Sequence, residues 1–121
     1  MSPLPFTIPF AGWLAKADGL LRFDGTALLL EFESRDALVG LLKTDLREIR
    51  IPVAEINAIE LNKGLFSTTL EVQTSTLRAT RGIPASSHGK FALTLSRTDR
   101  PSAEMLVAAM RAVMTGGPRA A

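Results

Sequence analysis

Short apolar runs separated by turn residues constrain the fold of this chain more than any other feature. Asp24-Gly25 supplies the positive φ angles that a two-residue hairpin turn requires. The run after this turn places Leu28, Leu30 and Phe32 on one side of an extended chain. The pattern therefore predicts a β-hairpin here, and Asn62-Lys63-Gly64 predicts a second hairpin turn.

The clearest strand follows the second turn. Between residues 68 and 75, Thr, Leu and Val at even positions alternate with mostly polar residues at odd positions, which indicates an antiparallel strand with one buried face. Runs at similar spacing predict the other strands. The predicted strands are residues 13–23, 27–32, 47–51, 56–62, 68–75, 77–80 and 91–95.

One segment near the C-terminus has helical spacing. Its predicted start is Asp99 or Arg100, because Pro101 then lies in the first turn, where its missing N–H costs nothing. The apolar residues of one face recur at helical intervals and are Leu106, Val107, Met110, Val113 and Met114. The predicted fold class is mainly β with one C-terminal α-helix, in which a curved antiparallel sheet leaves one end open for the helix to cover.

Two segments are harder to assign. Residues 1–11 contain prolines at alternating spacing, which predicts an extended N-terminal arm packed on the domain or on a neighbouring chain. For residues 34–45 a short helix and an extended loop are both open, because Gly40 weakens the helix that Asp36 would cap. The predicted organisation is an arm at 1–11, one domain at 12–115 and a flexible tail at 116–121.

Composition narrows the classes of function. The 121 residues fit one domain, and the absence of cysteine excludes disulfides, thiolate metal sites and cysteine nucleophiles. The net charge of +2 is too small to indicate nucleic-acid binding. Residues 1–75 carry seven Lys/Arg and ten Asp/Glu, whereas residues 76–121 carry seven and two, so the basic half is either a solvated edge or an anion-facing surface.

Location follows from the apolar pattern of the chain. No apolar run is long enough to span a membrane, so an integral membrane protein is not expected. The N-terminal residues lack the basic head of a secretory signal, which favours a cytoplasmic protein.

Several stretches within about residues 12–115 carry a family resemblance. They are the turn at 23–25 leading into 27–32, Arg50-Ile51-Pro52-Val53-Ala54-Glu55-Ile56 leading into Ile59-Glu60-Leu61, the loop at 82–87, Phe91–Arg97, and Asp99-Arg100. Together they resemble the bacterial pleckstrin-homology-like (PH-like) domain family of uncharacterised function. The resemblance implies a partly open seven-strand antiparallel barrel capped by a C-terminal helix, a fold used mostly to bind lipids, peptides or proteins.

The resemblance also bears on lipid recognition. Phosphoinositide-binding members usually place several Lys/Arg around the first hairpin. Here that turn carries Asp24, with only Lys16 and Arg22 nearby, so binding of a phosphoinositide headgroup is not expected.

The residues give little support to catalysis. His88 is the only histidine, and Ser86 and Ser87 precede it directly in a loop, whereas a nucleophile and its base normally meet across the fold. Glu31 and Glu33 share a strand face, where carboxylates are usually solvated. We therefore predict no enzymatic activity, no metal site and no cofactor.

Basic residues of the C-terminal half form the first candidate site. The set is Arg78, Arg81, Lys90, Arg97 and Arg100. Arg97 and Arg100 are predicted to lie at the barrel rim near the start of the helix, where an anion could be held.

Apolar residues on strand faces that are predicted to be exposed to solvent form the second candidate site. Leu29 lies opposite Leu28 and Leu30, and Ile56 lies opposite Ile59 and Leu61. Such strands need a second cover, from the arm or from another copy of the chain. The predicted self-association residues are Leu29, Ile59, Leu61, Phe6 and Phe10.

The predicted function is a non-catalytic binding or scaffolding module, acting as a homodimer or with a protein partner. The alternative is a carrier of a small apolar or anionic ligand held in a cleft between barrel and helix.

Overall fold

The computed structural model describes residues 3–10, 15–36, 46–84 and 86–114. The strands are β1 (Leu4–Phe10), β2 (Ala15–Phe23), β3 (Ala27–Asp36), β4 (Leu46–Pro52), β5 (Ile56–Lys63), β6 (Ser67–Thr74) and β7 (Lys90–Ser96). Short 3₁₀ turns lie at Val53–Glu55, Arg78–Thr80 and Arg97–Asp99, and one helix, α1, spans Arg100–Met114.

All seven strands belong to one antiparallel sheet with the order β4-β3-β2-β1-β7-β6-β5. β4 and β5 are the two edges of this sheet and are not paired with each other among the described residues, so the barrel stays partly open. Helix α1 packs beside β5 and the 3₁₀ turn at Val53–Glu55. This arrangement confirms the predicted fold class, a partly open seven-strand barrel capped by a C-terminal helix.

The N-terminal segment is the middle strand of the sheet, where we predicted an extended arm that packs on the domain or on a neighbouring chain. β1 lies between β2 and β7, and its alternate side chains Leu4, Phe6 and Ile8 are buried. Its single register pair with β7 joins Thr7 to Thr94, between Pro5 and Pro9. β1 tolerates these prolines although it is an inner strand. Its ladder with β7 is so short that few N–H groups of β1 have to donate to it.

Gly19 in β2 permits a close approach of three strands. It pairs with Phe6 of β1 on one side and with Phe32 of β3 on the other. A Cβ atom at this position would lie 2.1 Å from the Glu31 carbonyl oxygen and 2.6 Å from Phe32 Cβ. Phe6 and Phe32, its partners on the two neighbouring strands, have ring centroids 6.4 Å apart.

The strand predicted at 77–80 is wrong, and this segment is a 3₁₀ turn. Thr76 Oγ1 accepts from the backbone N–H of Ala79 at 3.3 Å, and the N–H of Thr80 bonds to the Leu77 carbonyl. When a side-chain hydroxyl accepts a hydrogen bond from a backbone N–H group, that group no longer needs a partner on a neighbouring strand. The turn leads to Ile83, which is buried in the core.

Helix α1 begins at Arg100, as predicted, with Pro101 in its first turn. Its buried face consists of Ala103, Leu106, Val107 and Met110. Val113, which we included in the apolar stripe, is 39% exposed. The Arg111 side chain donates to the Ile59 carbonyl at 2.7 Å, so it satisfies a backbone acceptor of β5.

Several predictions fall partly outside the described residues. β3 continues through Asp36, which favours the extended reading for residues 34–36. Residues 37–45, the start of the predicted strand at 13, and the tail at 116–121 lie outside the part that the structure describes.

Candidate functional site

The turn between β5 and β6 presents two adjacent apolar side chains to solvent. β5 ends at Lys63, β6 begins at Ser67, and the N–H of Gly64 closes the turn on the Ser67 carbonyl at 2.9 Å. Leu65 and Phe66 stand at its apex, 77% and 85% exposed. We call these two residues the apolar tip.

Other exposed apolar side chains of the described residues differ from the tip. Leu46, Leu77 and Met105 are each more than half exposed, but no two of them are neighbours in sequence. Single apolar residues on a surface are ordinary, whereas contiguous ones indicate a contact site. The tip is therefore the strongest apolar candidate in the described surface.

Two arginines hold the backbone of the turn. Arg97 Nη1 donates to the Leu65 carbonyl at 3.3 Å, and Arg100 Nη2 donates to the Gly64 carbonyl at 2.7 Å. Arg100 also uses Nε to reach Thr68 Oγ1 at 2.9 Å, and Thr68 is fully buried. The turn is thus fastened to the start of α1 before any partner binds.

These contacts revise the predicted anion-binding rim. Arg97 and Arg100 do come together near the start of the helix. Both guanidinium groups donate to the protein's own carbonyls, however, so they act first as supports of the turn. Binding of an anion by their remaining donors stays a prediction.

A salt bridge adds a further link between the turn and the helix. Lys63 Nζ lies 2.7 Å from Glu104 Oε2, and both side chains are about half exposed. An ion pair at this exposure contributes little to stability. Its effect here is to keep a cation beside the tip and to orient the end of β5 against α1.

The predicted self-association residues divide between core and surface. Phe6 and Ile59 are each 3% exposed and belong to the core of the single chain, so neither is available to a second copy. Leu61 is half-buried and packs against the core. Leu29 is half-buried on the outer face, while the side chain of Phe10 lies outside the described part.

A β-bulge explains why Ile59 was misplaced. The register of β5 with β6 shifts between Ile56 and Ala58. The extra residue lets Ile56 and Ile59 both face inward, although their odd separation places them on opposite faces of a regular strand. The apparent two-faced apolar character of β5 therefore disappears.

An open groove of about 750 Å³ crosses the outer face of β5, β6 and β7. Ala58 and Ala92 line it, and Glu60 lies directly opposite Glu71 across the strands. Asn62 Nδ2 donates to Glu71 Oε2. Like charges facing each other are unfavourable, and this amide hydrogen bond offsets part of that repulsion.

His88 lies at the rim of this groove. Its φ of 56° is left-handed, and Ser87 Oγ is 2.8 Å from its Nδ1. Both side chains are exposed, so the hydroxyl and the imidazole stand in solvent. On β3, the carboxylate residue Glu31 is exposed and Glu33 is half-buried.

The first hairpin turn is built around Asp24. Its carboxylate accepts from the backbone N–H groups of Thr26 and Ala27, each at 2.8 Å. These hydrogen bonds, then the Thr26 hydroxyl and the charge of Arg50, lower the pKa of Asp24 below its ordinary value of 3.8. The acidic residue at this turn is therefore structural, which agrees with the absence of a basic first hairpin.

The remaining basic candidates are dispersed. Arg78, Arg81 and Lys90 are exposed, and Arg78 and Arg81 belong to the segment around the second 3₁₀ turn.

No protein-family model, curated protein or solved structure matches this chain. Among the described residues, no helix has both the length and the apolar character to cross a bilayer.

Sequence reasoning missed the tip because it placed the turn at residues 62–64. The chain turns later, at Gly64–Phe66. A signal was present: the strand alternation is regular only from residue 67 onward, so Leu65 and Phe66 fit neither strand.

Proposed function

We propose that this chain is a non-catalytic binding module that docks through the apolar tip. The observation that carries the proposal is the combination of high exposure at Leu65 and Phe66 with a backbone fastened by Arg97 and Arg100. Apolar side chains on a pre-organised turn lose little conformational entropy when a partner covers them. The resemblance to PH-like domains, which serve mostly as binding modules, supports the same function.

A ligand carrier has less support. The barrel end beneath α1 is filled by helix side chains, since Leu106 and Met110 are both fully buried. The groove described above lies on the outer sheet face, away from the interface of helix and barrel. A ligand in a cleft between barrel and helix would have to displace these side chains.

Self-association remains a second candidate, favoured by a small apolar patch on the outer face of β2 and β3. Leu20 is 42% exposed, and the register places it diagonally across from Leu29. Diagonal neighbours of this kind are within reach of each other. We propose that a weak homodimer forms through this patch at high protein concentration, because two apolar side chains bury less than a stable interface needs.

The docking proposal can be tested in the organism that makes the protein. A photo-crosslinking amino acid replaces Phe66 in one variant and Met105, on the outer face of α1, in the control. We expect position 66 to give a discrete adduct, with a lipid or with a protein, and position 105 to give much less. Equal labelling at both positions, or none at position 66, would contradict docking through the tip.

A further inference from the structure

The surroundings of the tip bear on the kind of surface that it contacts. The neighbours of Leu65 and Phe66 are polar or charged: Ser67 follows them in the chain, and Arg97 donates to the Leu65 carbonyl. A stable protein interface buries roughly 800 Å² on each partner and has an apolar centre. Two side chains at the apex of one turn form a much smaller apolar area than such an interface. The acyl chains of a lipid bilayer can cover an area of this size without a matching pocket.

Three cations lie beside the backbone of the tip, and Asp99 stands between two of them in the chain. Arg97 lies against the Leu65 carbonyl, Arg100 against the Gly64 carbonyl, and Lys63 precedes the turn. Glu104 offsets one of these cations through its salt bridge with Lys63. An apex of two apolar residues with cations directly behind it matches the layering of a bilayer surface, where acyl chains lie beneath anionic headgroups.

Resting on the proposed function, we infer that the docking surface is an anionic lipid bilayer, entered by Leu65 and Phe66 to interfacial depth. Arg97 is the cation that faces the headgroups. One of its nitrogens is used for the Leu65 carbonyl, and a guanidinium has further donors for a phosphate. Arg100 is half-buried and already bonds to two acceptors, so its main part is to hold the turn.

Attachment through two side chains and one or two cations is weak and reversible. Contact depends on both the apolar and the charged contribution, so a neutral bilayer should bind less than an anionic one. Losing one cation near the surface should weaken binding about fivefold, and losing both apolar side chains should weaken it at least about tenfold.

The test is co-sedimentation of the full chain with vesicles. One set contains equal parts of phosphatidylcholine and phosphatidylglycerol, and the other contains phosphatidylcholine alone. The apolar variant carries Leu65→Ser and Phe66→Ser, with Leu77→Ser and Met105→Ser as controls at other exposed apolar positions. The charge variant is Arg97→Gln, with Arg78→Gln as its control.

We expect the parent chain and all controls to bind the anionic vesicles, the double serine variant to lose at least about tenfold, and Arg97→Gln about fivefold. Failure of the parent chain to bind, or equal binding by the double variant, would overturn the lipid inference. A protein adduct at position 66 without vesicle binding would overturn it too, yet would leave the proposed function standing. Absence of any adduct at position 66 would instead count against the proposed function.

Discussion

Arg100, the first residue of the C-terminal helix, donates from Nε to the hydroxyl of Thr68, a fully buried residue of β6, at 2.9 Å. The same guanidinium donates from Nη2 to the Gly64 carbonyl. One side chain therefore joins three elements: the start of the helix, the sixth strand and the turn that carries the apolar tip.

Removal of this side chain should destabilise the fold. Arg100→Ala leaves the Thr68 hydroxyl buried without its donor, and we expect the free energy of unfolding in urea to fall by about 1–2 kcal/mol. Arg78→Ala, at an exposed arginine elsewhere, should change it by less than about 0.5 kcal/mol.

The cause of that loss can be isolated with a second substitution. Adding Thr68→Val to Arg100→Ala removes the hydroxyl that lacks a donor, so the double variant should be no less stable than Arg100→Ala alone. Additive losses from the two substitutions would show that the pair does not interact as described.

Gly19 is the position least able to accept a side chain. The Cβ of Gly19→Ala would meet the Glu31 carbonyl at 2.1 Å, and strands β2 and β3 would have to separate. We expect a loss of about 3 kcal/mol or more in unfolding free energy, or failure to fold.

Gly25→Ala is the matched control for Gly19→Ala. Gly25 has a φ of 100° but open space around its Cβ position, so only backbone strain applies. Its cost in thermal or urea unfolding should be clearly smaller. Equal costs for the two substitutions would contradict the close approach at Gly19.

Asp24 should make stability depend on pH at acid values. Its pKa is lowered in the folded chain, first by the backbone hydrogen bonds from Thr26 and Ala27. The stabilisation is therefore complete above the unfolded value, near 4, and is lost as pH falls through the lowered pKa of the folded state.

The matched variant is Asp24→Asn, which cannot ionise. Urea unfolding from pH 7 to pH 2 should show the parent more stable at neutral pH and the difference shrinking below about pH 4. A difference that stays constant with pH would exclude this role for the carboxylate.

The homodimer proposal makes a prediction for Leu29. With increasing protein concentration, the mass from light scattering should rise from 13.0 kDa toward twice that value for the parent, and it should stay at the mass of one chain for Leu29→Glu. Leu77→Glu, at another exposed leucine, should keep the parent mass. A parent that is monomeric at all concentrations, or a Leu29→Glu variant with unchanged mass, would rule out this interface.

The periodicity of apolar residues correctly predicted the strands and the helix that bury one face, as β6 and α1 show. In β6, residues 68, 70, 72 and 74 are buried as the alternation indicated, and in α1 the interval of the apolar residues gave the inward face. In both cases the signal repeats within a few residues, so it does not depend on distant parts of the chain.

Other features depend on partners that are distant in sequence. β1 was assigned to an arm because Pro5 and Pro9 disfavour inner strands, yet a single pair at Thr7 and Thr94 suffices to join it to β7. The bulge beside Ala58 likewise reverses the inward face of β5, and nothing in the local alternation reveals it.

The candidate site was predicted only in part. Arg97 and Arg100 were placed at the barrel rim because Pro101 marks the start of the helix. The carbonyls that they bind, at Gly64 and Leu65, are more than 30 positions away, so the link between rim and turn appears only in the folded chain.

Backbone ¹⁵N relaxation of the free protein tests most directly whether the docking turn is formed in advance. Since Arg97 and Arg100 fasten the carbonyls of Gly64 and Leu65, we predict order parameters of about 0.8 for the amides of Leu65 and Phe66, close to those of β5 and β6. In Arg100→Ala these two values should fall while those of β3 remain unchanged. Order parameters below about 0.6 at Leu65 and Phe66 in the parent chain would contradict a pre-formed docking element.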